Sequence, residues 1–180
     1  MEALLLLAVA LGGISVAALR WARRARRGPE GPRLGFEARS VAHRGGAGER
    51  IENTLEAFEH AVREGAGLLE LDVRRTRDGV AVVCHEPVGH LRFRELPLYR
   101  CPVEVTFSPG HFSCGRDRRI PRLDEVFRRF PGQPISVEVK DDDDDLINEV
   151  AALVRRFDRA PITLWASFHE PILRKCRKAK

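Results

Sequence analysis

Apolar residues recur along this chain with three different spacings. Residues 3–19, ALLLLAVALGGISVAAL, are apolar throughout and carry no charge. Beyond them, short runs with apolar residues at every second position alternate with stretches whose apolar residues lie three and four apart. The first spacing predicts a membrane-crossing helix, the second strands and the third amphipathic helices. Ala38–Ala42 reads as a short strand leading into His43-Arg44-Gly45-Gly46. Leu55, Phe58, Ala61 and Val62 mark a helix to about Glu64, capped by Asn53, with Glu56 completing a capping box and Gly65 ending it. Leu68–Glu86 reads as two strands around a turn at Asp78-Gly79. Residues 87–119 show no clear period. Pro121 then starts a helix with Leu123, Val126, Phe127 and Phe130 on one face. A strand Pro134–Lys140, a helix Leu146–Phe157, a strand Ile162–Ser167 and a basic helix His169–Ala179 complete the order. Strand and helix alternate, which predicts an α/β domain with a parallel sheet and about four βα units.

Charge divides the N-terminal region from the rest. Arg20, Arg23, Arg24, Arg26 and Arg27 crowd the end of the apolar run, and Trp21 suits an interfacial position. Residues 1–21 thus read as a transmembrane anchor and 22–37 as a basic linker, with the domain at 38–180. A cleavable signal peptide is the rival reading, opposed by positive charges that follow the apolar run instead of preceding it. The charge rule puts the domain on the cytosolic side of a single-pass membrane protein, and the arginines suit anionic headgroups. The net charge of +5 is largely this flank, so the basic pI does not indicate nucleic acid, and no aromatic-basic module is present. Cys84, Cys101, Cys114 and Cys176 form no CxxC pair or zinc spacing and read as free thiols, one or two of them in the core.

The candidate chemistry starts in the first strand of Leu68–Glu86. Glu70 and Asp72 share one face of it, while Leu69, Leu71 and Val73 share the other. Adjacent acids are costly to bury unless a cation or proton joins them. Either a hard divalent cation with oxygen ligands does so, or one acid pairs with an arginine and the other is exposed. In parallel βα sheets functional residues gather at the carboxyl ends of strands. His43 and Arg44, Glu70 and Asp72, His85, and Glu138 and Lys140 all fall at such ends. Three carboxylates could hold Mg²⁺ or Ca²⁺, two histidines could act as general base and acid, and Arg44 and Lys140 could neutralise a phosphate. That set describes metal-assisted phosphodiester cleavage.

The order AHRGG, ENT, ELDV, RDG, VVCHE and VEVK resembles the glycerophosphodiester phosphodiesterase domain from about Ser40 onward. The segments LPLYR, FSPGHF and WAS are similar to the vertebrate, N-terminally membrane-anchored members that act as lysophospholipases D. The resemblance implies a TIM-type (β/α) barrel. It implies His43 and His85 as general acid and base, Glu70, Asp72 and Glu138 as metal ligands, and Arg44 and Lys140 as phosphate contacts. Some descriptions of the family make His85 a metal ligand instead. The implied substrates are lysophospholipids or glycerophosphodiesters, cleaved to lysophosphatidic acid or its analogues and a free headgroup. The implied location is the endoplasmic reticulum or perinuclear membrane. Four departures stand against the pattern. Glu86 replaces the usual Asp after the second histidine, and Pro87–Phe93 is shorter than the family's loop. Asp141–Asp145 replaces a mixed-charge segment and suits a helix N-terminus better than a second metal site. Finally, only about the first half of a barrel is expected, where a closed one takes about 250 residues. A catalytically inactive, truncated form anchored in the membrane is the alternative.

Overall fold

A computed structural model of the chain describes residues 35–179. The expected membrane anchor and most of the linker lie outside the described residues. Among the described residues, no helix is long and apolar enough to cross a membrane. The elements are β1 (Val41–Ala42), α1 (Leu55–Arg63), β2 (Leu68–Arg75), β3 (Ala81–Val83), β4 (Val103–Glu104), β5 (Phe112–Ser113), α2 (Leu123–Arg129), β6 (Ile135–Val139), α3 (Asp144–Arg156), β7 (Thr163–Ala166) and α4 (Glu170–Ala179).

Four strands run parallel in the order β1-β2-β6-β7, as the alternation of strand and helix predicts. β3 folds back antiparallel on β2. Val73 faces Val83 on one side and Val139 on the other, so β3 continues the edge that β1 begins. The tight turn between β2 and β3 is held by Thr76, whose Oγ1 donates to Asp78 Oδ1 at 2.7 Å and accepts from the Val80 N–H at 3.0 Å. Gly79 supplies the left-handed φ of 85° that this turn needs.

Period-two alternation sorts the two faces of the sheet. Leu69, Leu71 and Val73 of β2 and Ile135, Val137 and Val139 of β6 are fully buried against the helices. They share one cluster with Phe58, Leu123, Val126, Phe127, Leu146 and Val150. Burying each of these side chains is worth roughly 1.5–3 kcal/mol, so this face dominates the stability of the fold. Trp165 packs on the rim of the same cluster, as a core residue. Arg159 ties the far end of the core. It is fully buried beneath Phe127, and its guanidinium donates to the carbonyls of Phe130, Pro131 and Gln133.

Three local expectations are corrected. Asn53 does not cap α1; Thr54 does, with Oγ1 accepting from the Ala57 N–H at 3.2 Å. Glu56 takes no part in a capping box, and its Oε2 accepts from the N–H groups of Arg116 and Asp117, both at 2.7 Å. α2 begins at Leu123, not at Pro121, because the Pro121 carbonyl accepts from the Val83 N–H of the sheet. Residues 87–119 are largely irregular but include the β4–β5 ribbon. The aspartate run ends as expected: Asp143 Oδ1 caps α3 by accepting from the N–H groups of Asp145 and Leu146.

Candidate active site

The face of the sheet opposite the helices carries the acids. Asp72 of β2 lies directly across from Glu138 of β6, and Glu70 sits two residues earlier on the same face as Asp72. One carboxylate oxygen from each of Glu70, Asp72 and Glu138 lies within 4.8 Å of the others. Lys140 follows β6 on that face, with Nζ 2.9 Å from Glu138 Oε1 and 3.2 Å from Asp72 Oδ1.

The turn after β1 closes the acids from the side. Arg44 adopts φ 50°, a conformation unfavourable for a bulky residue, and this turns its backbone N–H onto Glu70 Oε2 at 2.8 Å. Gly45 follows because nothing larger fits: a Cβ there would sit 2.6 Å from Phe58 Cδ1. The Arg44 guanidinium is buried. Its Nη1 donates to both Glu52 oxygens, at 3.0 and 3.2 Å, and to Thr106 Oγ1 at 3.3 Å, while Nε stands 3.5 Å from Asp72 Oδ2. Asn53 takes a left-handed φ of 56° and clamps Asp72. Its Nδ2 donates to Asp72 Oδ2 at 2.9 Å, and its Oδ1 accepts the Asp72 N–H at 3.3 Å. Thus the three residues of ENT have three tasks: Glu52 holds Arg44, Asn53 orients Asp72, and Thr54 caps α1.

Positive charge is not enough to satisfy the acids. Burial pushes the Glu70 carboxyl up to about 7, against the Arg44 N–H, which favours its ionised form. Glu70 Oε1 is buried with no hydrogen-bond partner, and Asp72 Oδ1 faces the Lys140 ammonium outside hydrogen-bonding angles. Lys140 is itself pushed up: burial alone would lower it, but Glu138 and Asp72 outweigh that effect. A convergent carboxylate triad with a partnerless buried oxygen on Glu70 is a donor set that a hard divalent cation fits.

His43 stands at the mouth, half exposed, with Nε2 3.8 Å from Glu70 Oε2. Its ring meets Phe107 edge to face at 4.6 Å between centroids. Burial first, then the Arg44 charge, lowers its pKa. His85 reaches the same edge differently from the other strand-end residues. It follows β3, and the Cys84 N–H donates to the Asp72 carbonyl at 3.1 Å, so the hairpin's return arm brings His85 back to the level of the acids. Its Nδ1 lies 3.1 Å from Glu86 Oε1. Among the described residues, the metal-competent cluster comprises Glu70, Asp72 and Glu138 and does not include His85. Cys84, beside it, is buried with its thiol pushed up to about 12, which disqualifies it as a nucleophile. Sequence reasoning missed Glu52, Asn53, Thr106 and Phe107 as parts of the site. The last two sit on the β4–β5 ribbon, whose Ser108-Pro109-Gly110 turn between alternating apolar residues was the available signal.

The model of the glycerophosphoryl diester phosphodiesterase family matches residues 43–160. The chain is 49% identical over 155 residues to the human lysophospholipase D GDPD3, covering 80% of this chain and 49% of that protein. It is 40% identical over 154 residues to the mouse lysophospholipase D GDPD1, with 79% of this chain and 49% of that one covered. It is also similar to a crystal structure of a glycerophosphodiester phosphodiesterase from Agrobacterium tumefaciens, at a TM-score of 0.61 and 28% identity, covering 79% of this chain and 63% of that one. The chain belongs to the glycerophosphoryl diester phosphodiesterase family. It spans about half the length of the curated relatives it matches, and its four parallel strands correspond to part of that family's TIM-barrel-like fold.

Proposed function

We propose that this chain carries the centre of a divalent-metal-dependent phosphodiesterase of the lysophospholipase D type. The substrates are lysophospholipids or glycerophosphodiesters, and the products lysophosphatidic acid or its analogue and a free headgroup. The observation that carries this reading is the convergence of Glu70, Asp72 and Glu138 with a partnerless buried oxygen on Glu70. The names of its relatives support the substrate class.

Glu70, Asp72 and Glu138 would hold Mg²⁺ or Ca²⁺, with His85 a further ligand only if its side chain swings inward. Such a cation, when bound, neutralises charge developing on the phosphate. Lys140 adds a fixed positive charge beside the same acids, while Arg44, largely enclosed, acts on a phosphate only through the rim of its guanidinium. His43, with its lowered pKa, is neutral near pH 7 and accepts a proton at Nε2 as general base. His85, part exposed on the return arm, returns a proton to the leaving headgroup oxygen as general acid. The apolar run 3–19 and its arginine flank support a single-pass anchor, which would keep the domain beside lipid substrates at the endoplasmic reticulum or perinuclear membrane.

The test is release of choline or ethanolamine from a lysophospholipid in the presence of Mg²⁺ or Ca²⁺. His43→Ala should lose about 10²–10⁴-fold, and a Glu70→Ala, Asp72→Ala double variant should show no release above background. Equal release from the wild type and the double variant supports the alternative of a catalytically inactive, membrane-anchored form.

A further inference from the structure

Two phenyl rings stand in solvent at the mouth of the site, and neither has a part in phosphodiester chemistry. Phe107 is 52% exposed and Phe168 87%. Scattered apolar side chains are common on protein surfaces and need no explanation. These two differ in where they are held. Phe107 lies at the turn of the β4–β5 ribbon, its ring centroid 4.6 Å from that of His43 and 5.6 Å from the Arg44 guanidinium carbon. The ribbon fixes it there: Thr106 accepts from Arg44 Nη1, and the Ser108 N–H donates to the Val105 carbonyl at 2.8 Å. Phe168 lies in the turn from β7 to α4, its ring centroid 5.7 Å from Lys140 Nζ. Ser167 pins that turn, donating from Oγ to the Val139 carbonyl at the end of β6 at 2.9 Å.

The sheet order sets the two rings on opposite sides of the acids. His43, against which Phe107 packs, follows β1, and Phe168 follows β7. Glu70, Asp72 and Glu138 lie on β2 and β6 between them. β1 and β7 are three strand spacings apart, roughly 14 Å along the sheet. The mouth therefore has the acids and Lys140 on its floor and an apolar lip on either side.

The chemistry of the lips narrows the substrate. Each ring already faces a protein cation, Arg44 or Lys140, and that cation repels a quaternary ammonium headgroup brought to the same ring. A deacylated glycerophosphodiester has no hydrocarbon to lay against them. An acyl chain does, and it takes exposed phenyl surface out of water while the phosphate of the same molecule lies over the floor.

We propose that Phe107 and Phe168 form the acyl-chain subsite of this centre and make lysophospholipids, not deacylated glycerophosphodiesters, its preferred substrates. This inference rests on the phosphodiesterase reading of the acids between the two rings.

The experiment reads the binding of products, which requires no turnover. The full chain, with Mg²⁺ present, is titrated calorimetrically with hexanoyl lysophosphatidic acid and, separately, with glycerol 3-phosphate. The short chain keeps the lipid monomeric, so a preference for it belongs to a single lipid molecule and not to a membrane surface. The wild type should bind the acylated ligand on the order of 30-fold more tightly, the effect of burying a few methylenes. A Phe107→Ala, Phe168→Ala double variant should bring that ratio within about threefold, because little apolar ring surface is left to cover. A Phe107→Leu, Phe168→Leu variant, which keeps apolar side chains at both places, should retain most of the preference. Damage to the phosphate site alone weakens both ligands alike, so a ratio unchanged in the alanine variant would overturn the proposal. Equal affinity of the wild type for the two ligands, or binding of neither, would overturn it as well. Failure of the phosphodiesterase reading shows elsewhere, as equal headgroup release from the wild type and the Glu70→Ala, Asp72→Ala variant. An acyl preference without headgroup release keeps the subsite and removes the catalysis.

Discussion

Asp141–Asp145 places five carboxylates at the rim of the domain, and Glu70, Asp72 and Glu138 place three at the centre of the sheet. At the rim every acid is answered. Asp141 pairs with Arg74, Asp142 and Asp144 with Lys175, and Asp143 and Asp145 with Arg75, while Asp143 also caps α3. At the centre, Arg44 and Lys140 serve three acids, and one oxygen of Glu70 is left with no partner away from water. The longer acidic run therefore has no need of a cation, whereas the smaller cluster is left for a proton or a cation to complete. Counting carboxylates would rank the two regions the wrong way round. Burial combined with an incomplete set of partners ranks them correctly.

The contrast can be broken at its strongest point first. Asp72 is almost wholly buried between Arg44, Asn53 and Lys140. Asp72→Ala leaves the buried Arg44 Nε and Asn53 Nδ2 without their carboxylate partner and takes one of two acids from Lys140, and should cost about 3–5 kcal/mol, read from urea unfolding. A cost near that of a rim aspartate would erase the distinction.

Next comes pH, which sharpens it. The Glu70 carboxyl is raised from 4.5 to about 7, so in metal-free buffer the folded chain keeps a proton that the unfolded chain releases. Stability from this group is complete below about pH 4.5 and is lost as pH rises through 7, by roughly 3 kcal/mol. Glu70→Gln should remove that part of the pH dependence of the melting temperature. Above pH 7, Mg²⁺ or Ca²⁺ at about a hundred times its dissociation constant should restore about 2.7 kcal/mol to the wild type and little to the variant. Melting curves indifferent to both cations would remove the metal from the account.

The smallest effects belong to the rim. Asp143→Ala loses two cap hydrogen bonds and should cost about 1 kcal/mol. Asp142→Asn, at an exposed pair with Lys175, should cost less than the cap does, and its effect should vanish in high salt. Calorimetry at two ionic strengths separates them.

Much of this arrangement was legible because two rules coincide. Alternation put Glu70 and Asp72 on one face of one strand and Glu138 and Lys140 on one face of another, and strand-end placement gathered them with His43. What escaped was set by contacts distant in sequence. Asn53 and Thr54 satisfy the capping rule equally well on paper, and the choice falls to Thr54 because Asn53 is held by Asp72 across the fold. Arg44 reads as a phosphate contact, yet its turn buries the guanidinium against Glu52, a pairing that no periodicity reveals. His85 looks like one more strand end, whereas it arrives on a reversed strand. Phe107 and Thr106 were hidden in a stretch whose ribbon is only two residues long on each side.

The pairing of Asp72 with Glu138 also limits how this chain can change in length over generations. One residue inserted in β2 just ahead of Glu70 would turn Glu70 and Asp72 toward the helices and bring Leu71 and Val73 to the mouth. Such an insertion is damaging at a single stroke, since it places two carboxylates among Phe58, Val126 and Phe127. Gains and losses of sequence are tolerable in the irregular stretch between Glu86 and Val103, ahead of the β4–β5 ribbon, where no alternation has to be kept in phase. Variation in length among descendants of this chain should accumulate there, leaving the lengths of β2 and β6 untouched.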